Sequence, residues 1–403
     1  MPYQIRLLTL SVILCVLFVC SWRVDAQTAT SATGLTPRQV LVQLTNAAGD
    51  GSGVTNVGEV IADLVGLEVS TAPIGSSAGG FTFTFDPVTR AFTRAAPSFG
   101  PMFGERAITA GEGRASVGVN FIHATYDTLD GVDIRDGSLQ TVVLRSGSTP
   151  LFTGAARLNI TTDTLVLFTN IALNSWFDAG LAVPYVNLRI DGTHDIADRA
   201  AAGNASAAGL GDVALRAKIR LYPHEQGGVA LGVDLRVPTG DTDAMLGTGI
   251  TRTLVSGIWS TTVGALAPHA SFGFEYWSNP FQAYDPLQQA SVDAGRHGNA
   301  YDAGVEWAPT DRLTVNGEFM GRTIRNGGRL GYRDLPLRGN AFGLTSASVA
   351  TVDPRGLHRA SVAGGIKWNF TGTALLTANV MLPLNDAGLR DRLTPIIGLD
   401  WGF

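Results

Sequence analysis

Apolar and polar residues alternate one by one along most of this chain beyond Arg114. The clearest example is Asp212 to Tyr222, in which every second residue from Val213 to Leu221 is apolar. The residues between them include one acidic and three basic side chains, Asp212, Arg216, Lys218 and Arg220. Because successive side chains of a strand point to opposite faces, this period predicts a β-strand with one apolar and one charged face.

The chain ends on a second alternating stretch, residues 393–403, which reads LTPIIGLDWGF. Its apolar face carries Leu399, Trp401 and Phe403, and Asp400 lies on the other face. A bacterial outer-membrane barrel often ends in this way, with its terminal aromatic in the interfacial girdle. An edge strand of a soluble sandwich is the alternative. We expect Trp401 and Phe403 to be membrane-girdle residues.

The same alternation predicts twelve strands over residues 114–403. Their connections are alternately short (174–176, 223–228, 261–264, 309–311 and 371–372) and long (126–156, 191–211, 238–249, 278–300, 326–357 and 385–392). Short turns at one end and long loops at the other are typical of outer-membrane barrels. We therefore predict an all-β fold, a transmembrane antiparallel up-and-down β-barrel of about 12 strands. An even strand number requires Pro395–Phe403 to run antiparallel to Ala115–Thr125.

Two long predicted strands change parity part-way along. In Arg157–Leu173 the apolar residues switch from even-numbered to odd-numbered positions near Thr162, which predicts a β-bulge. In Phe177–Ile190 a similar change occurs near Pro184.

Residues 1–26 are identified as a secretory signal peptide. Arg6 precedes an almost wholly apolar run at 7–20, and the tripeptide VDA at 24–26 offers a cleavage site. The two cysteines of the chain, Cys15 and Cys20, both lie in this segment. The exported protein is therefore expected to have no disulfide, no thiolate metal site and no cysteine nucleophile.

The net charge of the chain without the signal peptide limits the kinds of molecule that it is expected to bind. Without Arg6, Arg23 and Asp25, the 29 basic and 34 acidic residues become 27 and 33, a net charge of −6. This balance argues against nucleic acid as a partner. No later apolar run reaches the length of a spanning helix, so only a closed barrel would cross a membrane. The expected partners are outer-membrane lipid, the barrel-assembly machinery acting through the C-terminal strand, and a small-molecule solute.

Residues 27–113 lack the regular alternation. Leu35–Ala48 predicts one short helix, with Thr36 as its N-cap. Phe81–Phe85 and Phe92 predict a hairpin. The spacing does not separate a small periplasmic segment from a plug folded into the barrel, so both placements stay open.

Charged residues on the polar faces of the strands are predicted to line one lumen. They are Asp212, Arg216, Lys218, Arg220, Asp234, Arg236, His269, Glu275, Asp302, Glu306, Glu318, Arg322, Lys367 and Asp400. They would either select solutes by charge and size or form a ladder of salt bridges that fills a narrow barrel. Twelve strands lie between the roughly eight that leave almost no lumen and the roughly 16 that leave an aqueous channel.

His269 and Ser271 share one face of a strand, as in outer-membrane lipid esterases, where a histidine activates a serine. The alternation points both residues to the lumen instead of the lipid, so hydrolysis is the least favoured hypothesis. Asp241 and Asp243 do not follow a calcium-loop spacing and are expected to be solvated. No cofactor, metal or catalytic residue is predicted.

A family resemblance rests on five stretches: GGFTFTFDPVTRAFTRA, SFGPMFGERAIT, GLGDVALRAKIRLYP, VDLRVPTGDTDAMLGTG and PHASFGFEYW. They resemble the outer-membrane barrel proteins of the MetA pathway of phenol degradation, which are similar in architecture to FadL-type transporters. The resemblance implies an outer-membrane location and a transport role, and it transfers no functional residue. We expect an outer-membrane channel or transporter for small, hydrophobic or aromatic solutes. The alternative is a structural or surface-interaction barrel that acts through its long extracellular loops.

Overall fold

The computed structural model of the chain describes residues 28–30, 34–45, 57–71, 74–76, 80, 82–86, 91–94, 96–143, 152–196, 199–224, 226–279, 282–285, 290–293, 297–325, 329–336, 346–353 and 356–403. The predicted signal peptide, residues 1–26, lies outside these ranges. Within them, no helix is both long enough and apolar enough to cross a membrane.

Twelve long strands of the described chain close into an antiparallel barrel. They are β1 (Ala115–Leu129), β2 (Phe152–Ala172), β3 (Phe177–Ile196), β4 (Val213–His224), β5 (Gly227–Val237), β6 (Arg252–Ser260), β7 (Leu266–Trp277), β8 (His297–Thr310), β9 (Leu313–Ile324), β10 (Leu357–Asn369), β11 (Ala374–Pro383) and β12 (Thr394–Gly402). Each strand pairs with the next, and β12 returns to β1 with Ile396 opposite Ile122. The predicted fold class and closing strand pair are confirmed.

The outer face of the barrel is a band of exposed apolar side chains. Leu215, Phe272 and Phe274 are 43%, 50% and 66% exposed. A soluble protein rarely exposes a contiguous apolar surface of this extent, whereas lipid covers it in a membrane barrel. At the short-turn end the band finishes in exposed aromatic side chains, namely Trp176, Trp259, Trp307, Trp368, Trp401 and Phe403. The barrel is therefore transmembrane and of the outer-membrane type.

The bulge predicted near Thr162 is wrong. The even-numbered side chains of β2 are buried inward from residue 154 to 172, without a register shift against either neighbour. The apolar residues move from the outer to the inner face of β2 because lipid lies outside its lower part, whereas the N-terminal helices lie inside its upper part. Leu165 and Leu167 face outward to lipid, whereas Leu158, higher on the strand, is buried inward against the N-terminal helices.

The upper parts of β2 and β3 rise above the lipid-facing band as a collar, which we define as residues 152–163 and 186–196. In β3, Leu188 and Ile190 are 0% and 1% exposed on the inner face. The outer face of the collar is polar, and Arg157 Nη1 donates to Asp195 Oδ2 at 2.6 Å. The parity change near Pro184 therefore also marks the transition from lipid to water outside the barrel.

Two helices of the described residues precede the barrel, α1 (Pro37–Thr45) and α2 (Val57–Ser70). At the start of α1, Thr36 Oγ1 accepts a hydrogen bond from Gln39 N at 3.2 Å, and Gln39 Oε1 accepts one from Thr36 N at 2.9 Å. This reciprocal pair is a capping box. The predicted cap is confirmed, and the predicted end of the helix at Ala48 lies outside the described residues. The second helix, α2, was not predicted.

Both helices lie inside the collar. Leu41 and Leu44 of α1 and Ile61 of α2 are 0–2% exposed in one apolar cluster with inward residues of β2 and β3. The barrel wall therefore gives these helices a buried environment of the kind found in the core of a soluble domain.

Shorter strands flank the barrel. Phe83–Asp86 and Ala91–Arg94 form the predicted hairpin, with Phe85 opposite Phe92. Arg199–Leu210 extends the collar beside β3, and Leu389–Asp391 pairs with the upper end of β1. The others are Thr28–Thr30, Val132–Asp133, Leu139–Val143, Gln282–Asp285, Ala290–Asp293, Arg329–Pro336 and Ser346–Asp353.

Candidate functional site

Residues 96–110, here called the plug segment, contact the inward side chains of the lower half of the barrel. The three successive backbone N–H groups of residues 102–104 donate to the carboxylate of Glu318 on β9 at 2.5, 2.9 and 2.7 Å. Beside them, Lys367 Nζ on β10 donates to the carbonyl oxygen of Pro101 at 2.7 Å. Hydrogen bonds to ionised groups are the strong ones, so these two side chains fix the centre of the plug segment.

Glu306 on β8 joins the plug segment to the wall at a second point. Its carboxylate, which is fully buried, accepts from Ser98 Oγ at 3.2 Å and lies 2.9 Å from His269 Nδ1. Arg106 Nη1 donates to Ser98 Oγ at 3.0 Å and lies 4.0 Å from Glu306. Burial lowers the pKa of Arg106, and the charge of Glu306 opposes that shift.

The opposite wall holds the plug segment through Lys218 on β4. Lys218 Nζ lies 3.5 Å from a carboxylate oxygen of Glu105 and 3.5 Å from one of Asp178 on β3. Asp178 also accepts from Ala110 N at 3.3 Å. Polar contacts from β3, β4, β8, β9 and β10 therefore surround the plug segment.

The C-terminal end of α2 lies above the plug segment. Arg252 Nη2 donates to the carbonyl oxygen of Ser70 at 3.0 Å. Arg359 is bound to the carboxylate of Glu68 and donates to Thr71 Oγ1 at 3.3 Å. Cations are favourable at a helix C-terminus because the last carbonyl groups carry partial negative charge. We refer to this end, Glu68–Thr71 with its arginines, as the roof.

A cavity of about 250 Å³ lies between the roof and the plug segment. Its charged lining consists of Glu105, Arg216, Lys218, Asp234, Arg236, Glu275, Asp302, Arg322, Arg359 and Arg390. Apolar side chains contribute as well, chiefly Ile74, Phe103, Leu254, Ile258, Met320 and Met381. Charged and apolar walls that face one cavity are typical of a ligand site.

The residues predicted to line the lumen fall into three groups. Those at the cavity are Arg216, Lys218, Asp234, Arg236, Glu275, Asp302 and Arg322. Those that hold the plug segment beneath it are His269, Glu306, Glu318 and Lys367, all buried. Asp212, Arg220 and Asp400 do neither.

The last three have other surroundings. Asp212 accepts from Thr248 Oγ1 at 2.8 Å and organises the loop between β5 and β6. Arg220 donates to the carbonyl oxygens of His224 and Gly227 at 3.1 and 2.8 Å, which holds the short turn between β4 and β5. Asp400 is 5% exposed on β12 and does not line the cavity.

Several cavity residues were not predicted. Met320 lies between Glu318 and Arg322 in the inward parity of β9, so the alternation contained the signal and its apolar character hid it. Arg390 lies within the connection 385–392, where no periodicity assigns a face. Glu105 belongs to the irregular plug segment, whose position depends on tertiary contacts.

The geometry at His269 and Ser271 is not that of an activated nucleophile. Ser271 Oγ is hydrogen-bonded to Asp302 Oδ2. His269 Nδ1 is directed to Glu306 at 2.9 Å, and its Nε2 lies 4.0 Å from Asp302 Oδ1. A nucleophile and its base must lie within hydrogen-bond reach of each other, and here a carboxylate separates them.

No group of three or more His, Cys, Asp or Glu side chains in the described part of the chain is arranged to hold a metal ion. Asp241 instead accepts from the backbone N–H groups of Asp243 and Ala244 at 2.8 and 3.1 Å, which closes a local turn. Its loop therefore uses the carboxylate for backbone hydrogen bonding.

Residues 133–277 match the model of a family described as "Putative MetA-pathway of phenol degradation". The matched segment runs from the first long loop to the end of β7, and over it the resemblance stated from the sequence is confirmed. No protein with a curated description matches the chain significantly.

Solved outer-membrane structures are similar to the chain in outline. The COG4313 outer membrane channel from Pseudomonas putida F1 has a TM-score of 0.44 and 15% identity, over 72% of this chain and 95% of that one. The toluene transporter TbuX from Ralstonia pickettii has a TM-score of 0.34 and 12% identity, over 81% and 99%. A Pseudomonas aeruginosa FadL homologue has a TM-score of 0.32 and 12% identity, over 83% and 96%. At these distances, the solutes of those proteins are not transferred to this chain.

Proposed function

We propose that this protein is an outer-membrane channel for small solutes with an apolar, one-ring body, which pass through the lumenal cavity. The observation that carries the proposal is the cavity of about 250 Å³ between the roof and the plug segment, with apolar and charged walls. The description of the matched family, phenol degradation, supports an aromatic solute.

The size of the cavity supports a one-ring solute. An apolar protein cavity of about 150 Å³ is large enough to bind benzene. The cavity of about 250 Å³ therefore holds one ring with a polar substituent and a few water molecules. Passage to the periplasm requires the plug segment to shift, because Phe103 and Glu105 lie at the cavity on its lower side. The contacts that hold this segment are largely polar, so water can replace them when the segment shifts.

Two further parts of the proposal concern biogenesis. Residues 1–26 are removed on export, and the barrel-assembly machinery recognises β12. The supporting observation is that β12 ends in the exposed aromatics Trp401 and Phe403 and is paired with β1 at the seam of the barrel.

Flux through proteoliposomes tests the channel. We expect phenol to cross faster than through protein-free liposomes, and a two-ring phenol to cross more slowly than phenol. Ala300→Phe places a ring in the cavity and should abolish the protein-dependent flux. Ala303→Phe, on the exposed outer face of the same strand β8, is the matched control and should leave the flux unchanged.

Comparing the two variants shows whether the solute passes through the cavity. Equal fluxes through Ala300→Phe and Ala303→Phe would show that the cavity is not on the route. No protein-dependent flux of any solute through the unmodified barrel would refute the channel itself.

A further inference from the structure

The roof of the cavity holds more positive than negative charge. Six guanidinium groups meet four carboxylates there: Arg216, Arg236, Arg252, Arg322, Arg359 and Arg390 against Glu68, Asp212, Asp234 and Glu275. Five of the arginines lie within 4.0 Å of one of these carboxylates. The sixth, Arg390, does not, and the group carries an excess of two positive charges.

Arg390 is buried, and no carboxylate of the described residues forms an ion pair with it. It is 7% exposed and lines the cavity. Its Nη2 donates to Asn385 Oδ1 at 2.8 Å, and its Nε has no hydrogen-bond partner among the described residues. Three neighbouring acids act on Arg390 through their charge. Glu68 pairs with Arg359 and Asp130 pairs with Arg329, and Asp386 forms no ion pair with Arg390 among the described residues.

Arg390 keeps its charge at neutral pH. Burial, followed by the nearby charge of Arg359, lowers the pKa of Arg390 to about 10. A buried cation without a partner is costly, and a guanidinium matches the two oxygens of a carboxylate in a bidentate pair. The site is therefore built to receive a negative charge from outside the chain.

The rest of the cavity receives an apolar body. Phe103 of the plug segment and Met381 of β11 pack against one apolar cluster, and Met320 of β9 lines the same space. Methionine adapts its shape and makes favourable contacts with aromatic rings through its sulfur. These three side chains offer a surface for a flat ring.

We propose that the cavity binds a one-ring aromatic carboxylate, with its carboxylate at Arg390 and its ring among Phe103, Met320 and Met381. This inference rests on the proposed channel function and names the class of solute that the cavity retains. A neutral aromatic of the same size meets the same apolar surface but leaves the charge of Arg390 unpaired.

Binding to the purified full barrel in detergent, measured by titration calorimetry, tests the inference with benzoate as the probe and benzyl alcohol as its neutral analogue. We expect benzoate to bind at least about tenfold more tightly than benzyl alcohol. Arg390→Gln should lower the affinity for benzoate to about that for benzyl alcohol. Arg390→Lys keeps the charge and should retain part of the preference. Heat-modifiable migration on gels verifies that each variant is folded.

Arg392→Gln is the matched control. It removes the same charge two residues away, from a side chain that is 78% exposed. Equal effects of the substitutions at Arg390 and Arg392, or equal affinities for benzoate and benzyl alcohol, would overturn the inference. If neutral aromatics cross the barrel but benzoate does not bind more tightly than benzyl alcohol, the inferred carboxylate site is overturned and the proposed channel stands. Preferential benzoate binding without flux of either compound would uphold the site and refute the channel.

Discussion

Glu318 is the side chain whose replacement should most directly release the plug segment. It accepts three backbone N–H groups from residues 102–104 and is 4% exposed. Hydrogen bonds to a charged group contribute about 1.5–3 kcal/mol each. Glu318→Gln keeps one acceptor oxygen and turns an NH₂ group toward donors, so we expect a loss of about 3 kcal/mol in docking the segment. A loss of that size raises the undocked population about 100-fold.

Hydrogen exchange detected by mass spectrometry measures that population through the amides of residues 102–104. In Glu318→Gln their protection should fall about 100-fold, while the amides of the barrel strands keep theirs. The single-channel conductance in planar bilayers should rise in parallel. Glu112→Gln is the control, because Glu112 is exposed at the end of the same stretch and its loss removes the same charge.

Unchanged protection at residues 102–104 in Glu318→Gln would refute the view that this carboxylate holds the segment. Lowered protection without any change in conductance would place the barrier to ions elsewhere, at the roof.

Three other substitutions have defined outcomes. Gly104→Ala adds a methyl group that would clash with His269 and Asp302, so the conductance should rise as in Glu318→Gln; an unchanged conductance would contradict the observed packing. Leu41→Ala removes a fully buried side chain of α1 and should cost about 2–5 kcal/mol, seen as faster proteolysis of the helices inside an intact barrel. Burial raises the pKa of Glu68 above its ordinary value of 4.5, so the native state binds the proton more tightly and stability should fall as pH rises from 4.5 through the raised value. Glu68→Gln should flatten that decline in a Tm series, and a decline of the same size in the variant would exclude Glu68 as its source.

The sequence was sufficient for the barrel because lipid and water impose period two on every spanning strand. The bounds of β7, predicted as Ala265–Trp277 and observed as Leu266–Trp277, agree closely. The closing pair followed from counting, since an even number of strands between short turns leaves β12 one partner, β1.

The parity change in β2 was wrongly interpreted as a bulge. Alternation in the sequence shows which face of a strand is apolar, and that face depends on whether lipid, water or protein lies beside it. Below the collar the apolar side is outside, against lipid, and above it the apolar side is inside, against α1 and α2. A strand that stays regular in its backbone therefore looks irregular in its sequence.

The site was only partly predictable. The inward parity of strands supplied Asp234 and Glu275, whereas Glu68 and Arg390 come from parts of the chain that tertiary packing positions. α2 was not predicted because it is apolar on almost every side and therefore lacks the polar stripe that marks a surface helix. Its neighbours are α1 and the short strands Gln282–Asp285, Arg329–Pro336, Ser346–Asp353 and Leu389–Asp391.

Because of the collar, the packing at the two ends of the lumen should respond differently to temperature and to salt. Apolar side chains fill the inside of the collar, so α1 is retained mainly by apolar burial, which weakens on cooling and strengthens in kosmotropic salts. The plug segment is retained mainly by hydrogen bonds and buried charges, which depend much less on either. We therefore expect cooling to loosen the packing of α1 before that of the plug segment, and sulfate to tighten the packing of α1 more than that of the plug segment.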